Sequence, residues 1–239
     1  MDNPLPITLL EDTVLSAPGS GAAVDVGMLR QVAKLRLDLV ALTSGEELDV
    51  FVETSPAGVA HWSQVARRSL DWPGVHEVTV GPLQRFVRVR WSFSGGGAAT
   101  LGVTAKAHVT YCTPRDIHRF SVPAGALDCI PLDEQLDACI AATDEADGYV
   151  GGAYKLPLKA WGDDLRKATA RIAGADLLSA RGIDPESQDA VVFQREEAAK
   201  EWLNRLANGR LAPPGMVDQT PETFEGGSVV VSRPKRGWW

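Results

Sequence analysis

A chain of 239 residues with a net charge of −7 and a pI near 5.1 has room for one large domain or two ordinary ones, and two are expected. With 44% hydrophobic and 23% charged residues the composition is that of a folded protein, and its acidic balance excludes one that grips nucleic acid over its whole surface. The three cysteines, Cys112, Cys129 and Cys139, form no CxxC pair, so buried free thiols are expected rather than a disulfide framework or a zinc site.

The N-terminal stretch from Met1 to Gly21 carries acids and prolines where a signal peptide needs a basic start and an unbroken apolar run, so cytoplasmic synthesis is expected. No apolar run approaches the roughly 18 residues of a membrane helix. From Gly27 to about Val109 the two-residue period of half-buried strands recurs. Leu35, Leu37 and Leu39 alternate with Arg36 and Asp38; Leu48, Val50 and Val52 alternate with Asp49 and Glu53; Val78 and Val80 follow. Val87, Val89, Trp91 and Phe93, alternating with Arg88, Arg90 and Ser92, make the clearest strand. Turn residues punctuate at Gly45, Pro56, Gly58, Pro73-Gly74, Gly81-Pro82 and Gly95 to Gly97. This spacing predicts an antiparallel sandwich of jelly-roll or immunoglobulin style. Between Trp62 and Trp72, the polar run Gln64 to Ser69 reads as a short helix or a loop.

At Thr113-Pro114-Arg115-Asp116 a helix opens, with an N-cap threonine and proline in the first turn; Pro123 and Gly125 keep it short. From Pro131 a longer helix follows, with Leu132, Leu136, Ile140, Thr143 and Val150 on one stripe seeking a core. Its end is marked by Gly148 and then by Gly151-Gly152, and Gly148, Tyr149, Gly151 and Gly152 read as a hinge before an extended strap through Tyr154, Leu156, Pro157 and Leu158. Another helix spans Ala160 to Ala180 on Leu165, Ala168, Ile172, Ala175 and Leu178. A last one spans about Pro185 to Asn208 on Val192, Ala199, Trp202, Leu203 and Leu206, capped by Gly209.

Beyond Leu211 the chain turns polar and glycine-rich, then offers Val229, Val230 and Val231, and ends in Arg233, Lys235, Arg236, Trp238 and Trp239. A short apolar strand with a basic, aromatic end is expected to dock on another chain by strand addition with tryptophan anchors. Catalytic chemistry is hard to assemble. His61, His76, His108 and His118 have no metal-site spacing, and Gly19-Ser20-Gly21 reads as a turn rather than a phosphate loop. Asp163-Asp164 and Glu196-Glu197 read as solvated helix surface, and Arg88 and Arg90 as a solvated sheet face. No catalytic, cofactor-binding or metal residue is assigned, and no enzyme is expected.

Tyr111-Cys112-Thr113, Leu136 to Ile140 and the run Ala146-Asp147-Gly148-Tyr149-Val150-Gly151-Gly152-Ala153-Tyr154-Lys155-Leu156-Pro157-Leu158 carry a resemblance. Together with Glu197 to Leu203 and Ala207 to Leu211, they resemble the Mu-like branch of the head-tail adaptor family of tailed bacteriophages, whose members carry an IDSYLAGRYxLPL-like signature. The likeness covers about residues 111–211. Gly148 stands where a serine is usual, and Ala153 where arginine is frequent.

The resemblance implies a virion protein of the head-tail neck: an oligomeric ring, of twelve copies, under the portal protein. Such a ring extends the DNA channel without binding DNA specifically and receives the next neck or tail connector protein, with no membrane partner. An acidic chain suits a channel through which DNA slides. The expected fold is α+β and multidomain: an N-terminal antiparallel β-sandwich (1–109), an α-helical bundle adaptor domain (110–212) and an extended C-terminal tail (213–239) that docks on the portal. The alternative is that the sandwich is the working part, a carbohydrate- or capsid-binding module mounted on the helices.

Overall fold

The computed structural model describes residues 6–28, 30–181 and 189–218, and it is an α+β protein with its strands before its helices. The strands are β1 (Ile7–Leu15), β2 (Gly19–Ser20), β3 (Val24–Asp25), β4 (Arg30–Leu42), β5 (Leu48–Ser55), β6 (Ser63–Leu70), β7 (Gly74–Val80), β8 (Phe86–Phe93) and β9 (Ala99–Val109). They form two antiparallel sheets, one ordered β1-β9-β4-β7 and the other β2-β8-β5-β6, with β3 also on β8. Alternation assembles the core as the sequence implies. Leu35, Leu37 and Leu39 from the first sheet share one apolar cluster with Val50, Val52, Val87 and Val89 from the second.

Four strands depart from the sequence pattern. The run Gln64 to Ser69 is neither helix nor loop but the edge strand β6, paired with β5; only Leu70 of it is buried, which explains its polar composition. β9 is flanked on both sides, yet Ala99, Gly102, Ala105 and Ala107 supply little of the bulk that marks a strand. β1 buries only Leu9 and Leu15, so its alternation is faint. Gly19-Ser20, expected as a turn, pairs with Trp91 and Arg90 as β2; a Cβ on Gly19 would come within 2.9 Å of the Trp91 ring.

The helices are α1 (Pro114–Phe120), α2 (Leu132–Val150), α3 (Asp163–Arg181) and α4 (Asp189–Ala207). α1 opens on a reciprocal cap: the Asp116 N–H donates to Thr113 Oγ1 at 3.3 Å, and the Thr113 N–H donates to the Asp116 carboxylate at 3.0 Å. Leu165, Ala168, Ile172, Ala175 and Leu178 of α3 are all buried, in one cluster with Val192, Ala199, Leu203 and Leu206 of α4. Gly209 closes α4 at φ 67°, its N–H donating to the Leu206 carbonyl at 3.0 Å while that of Arg210 reaches Arg205 at 2.9 Å.

α2 differs from its sequence reading twice. It runs through Gly148 to Val150 and is capped at Gly151. Its apolar residues also split between two directions. Leu136 and Ile140 pack on Val32 of β4, whereas Ala138, Cys139, Ala142, Ala146 and Val150 join the helical core and Leu132 is exposed. At the same junction Asp137 accepts from Thr79 Oγ1 at 2.9 Å and from Lys34 Nζ at 2.7 Å, so α2 is a wall common to both halves.

Candidate functional site

Beyond α2 the chain turns tightly. The Gly151 N–H donates to the Asp147 carbonyl, and those of Ala153 and Tyr154 both reach Val150, each at 2.9 Å. Of the expected hinge, Gly148 and Tyr149 therefore lie inside the helix, and the turn itself is made by Gly151 and Gly152. A Cβ on Gly151 would stand 3.0 Å from the Asp147 carbonyl oxygen, so close approach explains that glycine. Tyr154, Leu156 and Pro157 form the strap, which ends on the fully buried Leu158.

Tyr111 is the post on which this segment closes. Its N–H donates to Thr143 Oγ1 at 3.0 Å, its carbonyl accepts from Trp161 Nε1 at 3.2 Å, and its hydroxyl donates to the Asp147 carboxylate. The Trp161 ring stands edge-on, with centroids 5.0 Å apart. Burial first, and then the Asp147 carboxylate, hold the phenol far above its ordinary pKa, so it stays a donor. The chain returning from α4 pairs with the same segment. Lys159 N–H reaches the Val217 carbonyl at 2.7 Å, Val217 N–H reaches Ala160 at 2.9 Å, and Lys155 N–H reaches the Asp218 carboxylate at 3.1 Å. Gly162 permits this return, since a Cβ there would sit 2.7 Å from the Pro214 carbonyl oxygen. The C-terminal segment is thus held against the strap as far as Asp218. Its expected docking residues, Val229, Val230, Val231, Arg233, Lys235, Arg236, Trp238 and Trp239, lie outside the described residues.

Arg88 and Arg90 occupy no plain solvated face. In register across β6, β5 and β8 stand Ser69, Asp49 and Ser92, then Arg67, Phe51 and Arg90, then Gln64, Glu53 and Arg88. The Glu53 carboxylate, 8% exposed, accepts from Arg88 Nε at 2.8 Å and from Arg90 Nε at 2.7 Å. Burial raises its pKa, but the Arg90 and Arg88 hydrogen bonds outweigh that and leave it below the ordinary carboxylate value. Each guanidinium also lies on an aromatic ring: Arg88 on Trp62 at 4.1 Å, Arg90 on Phe51 at 3.9 Å. Sequence reasoning missed this cluster because Glu53 and Arg88 lie 35 residues apart. The available signal was the shared parity of Phe51 and Glu53 with Arg88 and Arg90, outward on strands that proved to be neighbours.

The remaining candidates stay dispersed. Among the described residues no group of histidine, cysteine, aspartate and glutamate is arranged to hold a metal ion. Cys112 and Cys139 are buried free thiols as expected, but Cys129 is exposed. Asp163 and Asp164 are exposed in the first turn of α3, and Glu196 pairs with Lys200 at 2.8 Å. No described helix is long and apolar enough to cross a membrane.

These features define the class: an α+β protein whose two-sheet half rests on a small-residue helical half, the latter clasping its own C-terminal segment. The helical half also carries the family. The model described as "Bacteriophage Mu, Gp36" matches residues 111–232, half of the chain, and the chain belongs to that bacteriophage family. No curated protein matches it. Among solved structures, the PBSX exported protein XepA aligns at a TM-score of 0.36 with 16% identity, over 44% of this chain and 37% of that one. The Yersinia pseudotuberculosis-derived mitogen aligns at 0.29 with 12% identity, over 44% of this chain and 87% of that one. The CBM36-1 domain of a xylanase from the hindgut metagenome of Trinervitermes trinervoides aligns at 0.30 with 7% identity, over 44% and 98%. Likeness this slight carries no functional argument.

Proposed function

We propose that the chain is a structural virion protein, a head-to-tail adaptor whose copies form a twelve-membered ring under the portal protein, extend the DNA channel and receive the next neck or tail connector. In this reading residues 110–212 are the adaptor domain, 213–239 the portal-docking tail, and 1–109 a sandwich carried by the ring. The observation that carries it is the reach of the family match, which takes in the helical half together with the segment that pairs with the strap at Val217 and Asp218 and runs on to residue 232. The clasp at Val217 and Asp218 fixes the origin of the tail on the adaptor domain, which lowers the cost of docking it.

The test is native mass, measured for the protein alone and mixed with its own portal, for the full chain and for one ending at Pro221. A complex of fixed stoichiometry that requires the tail is expected. A chain that ignores the portal with or without those residues would overturn the reading.

A further inference from the structure

The outer face of the sheet formed by β8, β5 and β6 has a chemistry that the connector reading does not use. Three guanidinium groups, Arg67, Arg88 and Arg90, are interleaved with the two carboxylates Asp49 and Glu53, and Glu47 lies near enough to act on Arg67, so the face is densely charged but close to balance. A buried carboxylate on the outward side of a sheet is costly, and here its effect is to fix two arginines in parallel above the strands.

What these arginines leave open defines the ligand. Arg67 uses Nε and Nη2 on Asp49, at 2.9 and 2.7 Å. Arg88 uses Nε and Nη2 on Glu53, at 2.8 and 2.7 Å. Arg90 uses only Nε, so its two terminal amino groups have no partner among the described residues and keep the fork that matches a carboxylate. Arg90 and Arg67 flank the same ring, Phe51, at 3.9 and 5.7 Å, which limits the rotamers either has to give up on binding. Around this fork lie Ser92, Gln64, Ser69, whose hydroxyl donates to Asp49 Oδ1 at 2.6 Å and keeps its own acceptor lone pairs, and Asp49, whose Oδ2 keeps a further lone pair, on a patch of about 10 by 14 Å at ordinary strand spacing.

Hydroxyl groups, which donate and accept, suit such a surface. A polyphosphate does not, because it has no hydroxyl donors to offer Asp49 and packs its charge densely against a face whose net charge is small, whereas a uronate chain spaces one carboxylate per sugar among hydroxyl groups. Nor does an apolar partner, since Phe51 is lidded by guanidinium groups. We propose that this face binds an acidic polysaccharide, with a uronate-type carboxylate held by the Arg90 and Arg67 guanidinium groups, ring hydroxyls on Asp49, Ser69 and Gln64, and a neighbouring sugar against Trp62. The site lies wholly on the strand half and stands or falls independently of portal docking.

The test is affinity electrophoresis of the full-length protein in gels containing polygalacturonate, its methyl-esterified form, or polyglutamate. Retardation by polygalacturonate is expected, weakened about tenfold or more by esterification and by the double variant Arg67→Gln/Arg90→Gln. Trp62→Ala, which leaves the Glu53–Arg90 pair in place, is expected to weaken it several-fold and decides the matter if the double variant misfolds. Absence of retardation, equal retardation by the ester or by polyglutamate, or mobility unchanged in a folded variant would each overturn the proposal.

Discussion

Replacing Gly148 by alanine separates two accounts of that residue. A hinge glycine would be strained or stiffened by a side chain. In the structure, however, Gly148 lies within α2, exposed, three residues before the cap at Gly151, and an added Cβ would meet nothing within 4 Å. Alanine is favoured over glycine in a helix interior by about 0.8–1.0 kcal/mol, and in the last turn the gain is taken as about 0.5–1 kcal/mol. For a chain of this length that raises the unfolding midpoint by about 1–4 °C. Gly174 in α3 supplies the opposite sign. Its Cβ would stand 2.7 Å from Ser121 Cβ and 3.0 Å from Val122 Cγ2, with Ser121 Oγ closer still. The same propensity gain then meets overpacking of about 1–3 kcal/mol, for a net loss of up to about 2 kcal/mol. Urea denaturation followed by helical circular dichroism reads both variants. A destabilised Gly148→Ala, or two variants that shift stability in the same direction, would refute the reasoning.

Three further outcomes follow from named contacts. Leu136→Ala is expected to cost about 2–3 kcal/mol, the low end for a core leucine, because a groove of about 300 Å³ already reaches Leu136 and relieves the void; urea titration of tryptophan fluorescence checks this, and a loss below about 0.5 kcal/mol contradicts it. Glu53 has a folded pKa below its unfolded value, so the stability it contributes is present above the unfolded pKa and lost as pH falls through the folded one. In Glu53→Gln the acid-induced loss below about pH 4 should become shallower, as midpoints measured across that range will tell. Tyr111→Phe removes the donor to Asp147 and should cost about 1.5–3 kcal/mol in the same urea assay, whereas an unchanged midpoint would mean that the hydroxyl does not help to hold the strap.

What the sequence made legible was local. The cap at Thr113, the stripe from Leu165 to Leu178 and the stop at Gly209 are each written within a turn or two, and each is where the structure has it. Gly148 misled because a local terminator met a tertiary demand: continuing the helix by two residues buries Val150 completely, worth about 1.5–3 kcal/mol, against about 1 kcal/mol for an internal glycine. β6 and β9 were obscured for opposite reasons, an edge strand that buries too little and a flanked strand of residues too small to signal burial. The arginine face was illegible in kind, since three strands in register make it and no segment holds it alone.

The same distinction accounts for α2. Read as one amphipathic stripe, its apolar residues ask for one core, yet Leu136 and Ile140 face the strands while Ala138, Ala142 and Ala146 face α3 and α4. The small residues admit neighbouring helices closely, and the large ones reach across to Val32. A helix shared in this way couples the two halves. Displacing the strap at the end of α2 must either disturb Leu136 against β4 or be absorbed in the turn at Gly151 and Gly152, and the Tyr111–Asp147 contact, on the last turns of that helix, is placed to favour the second.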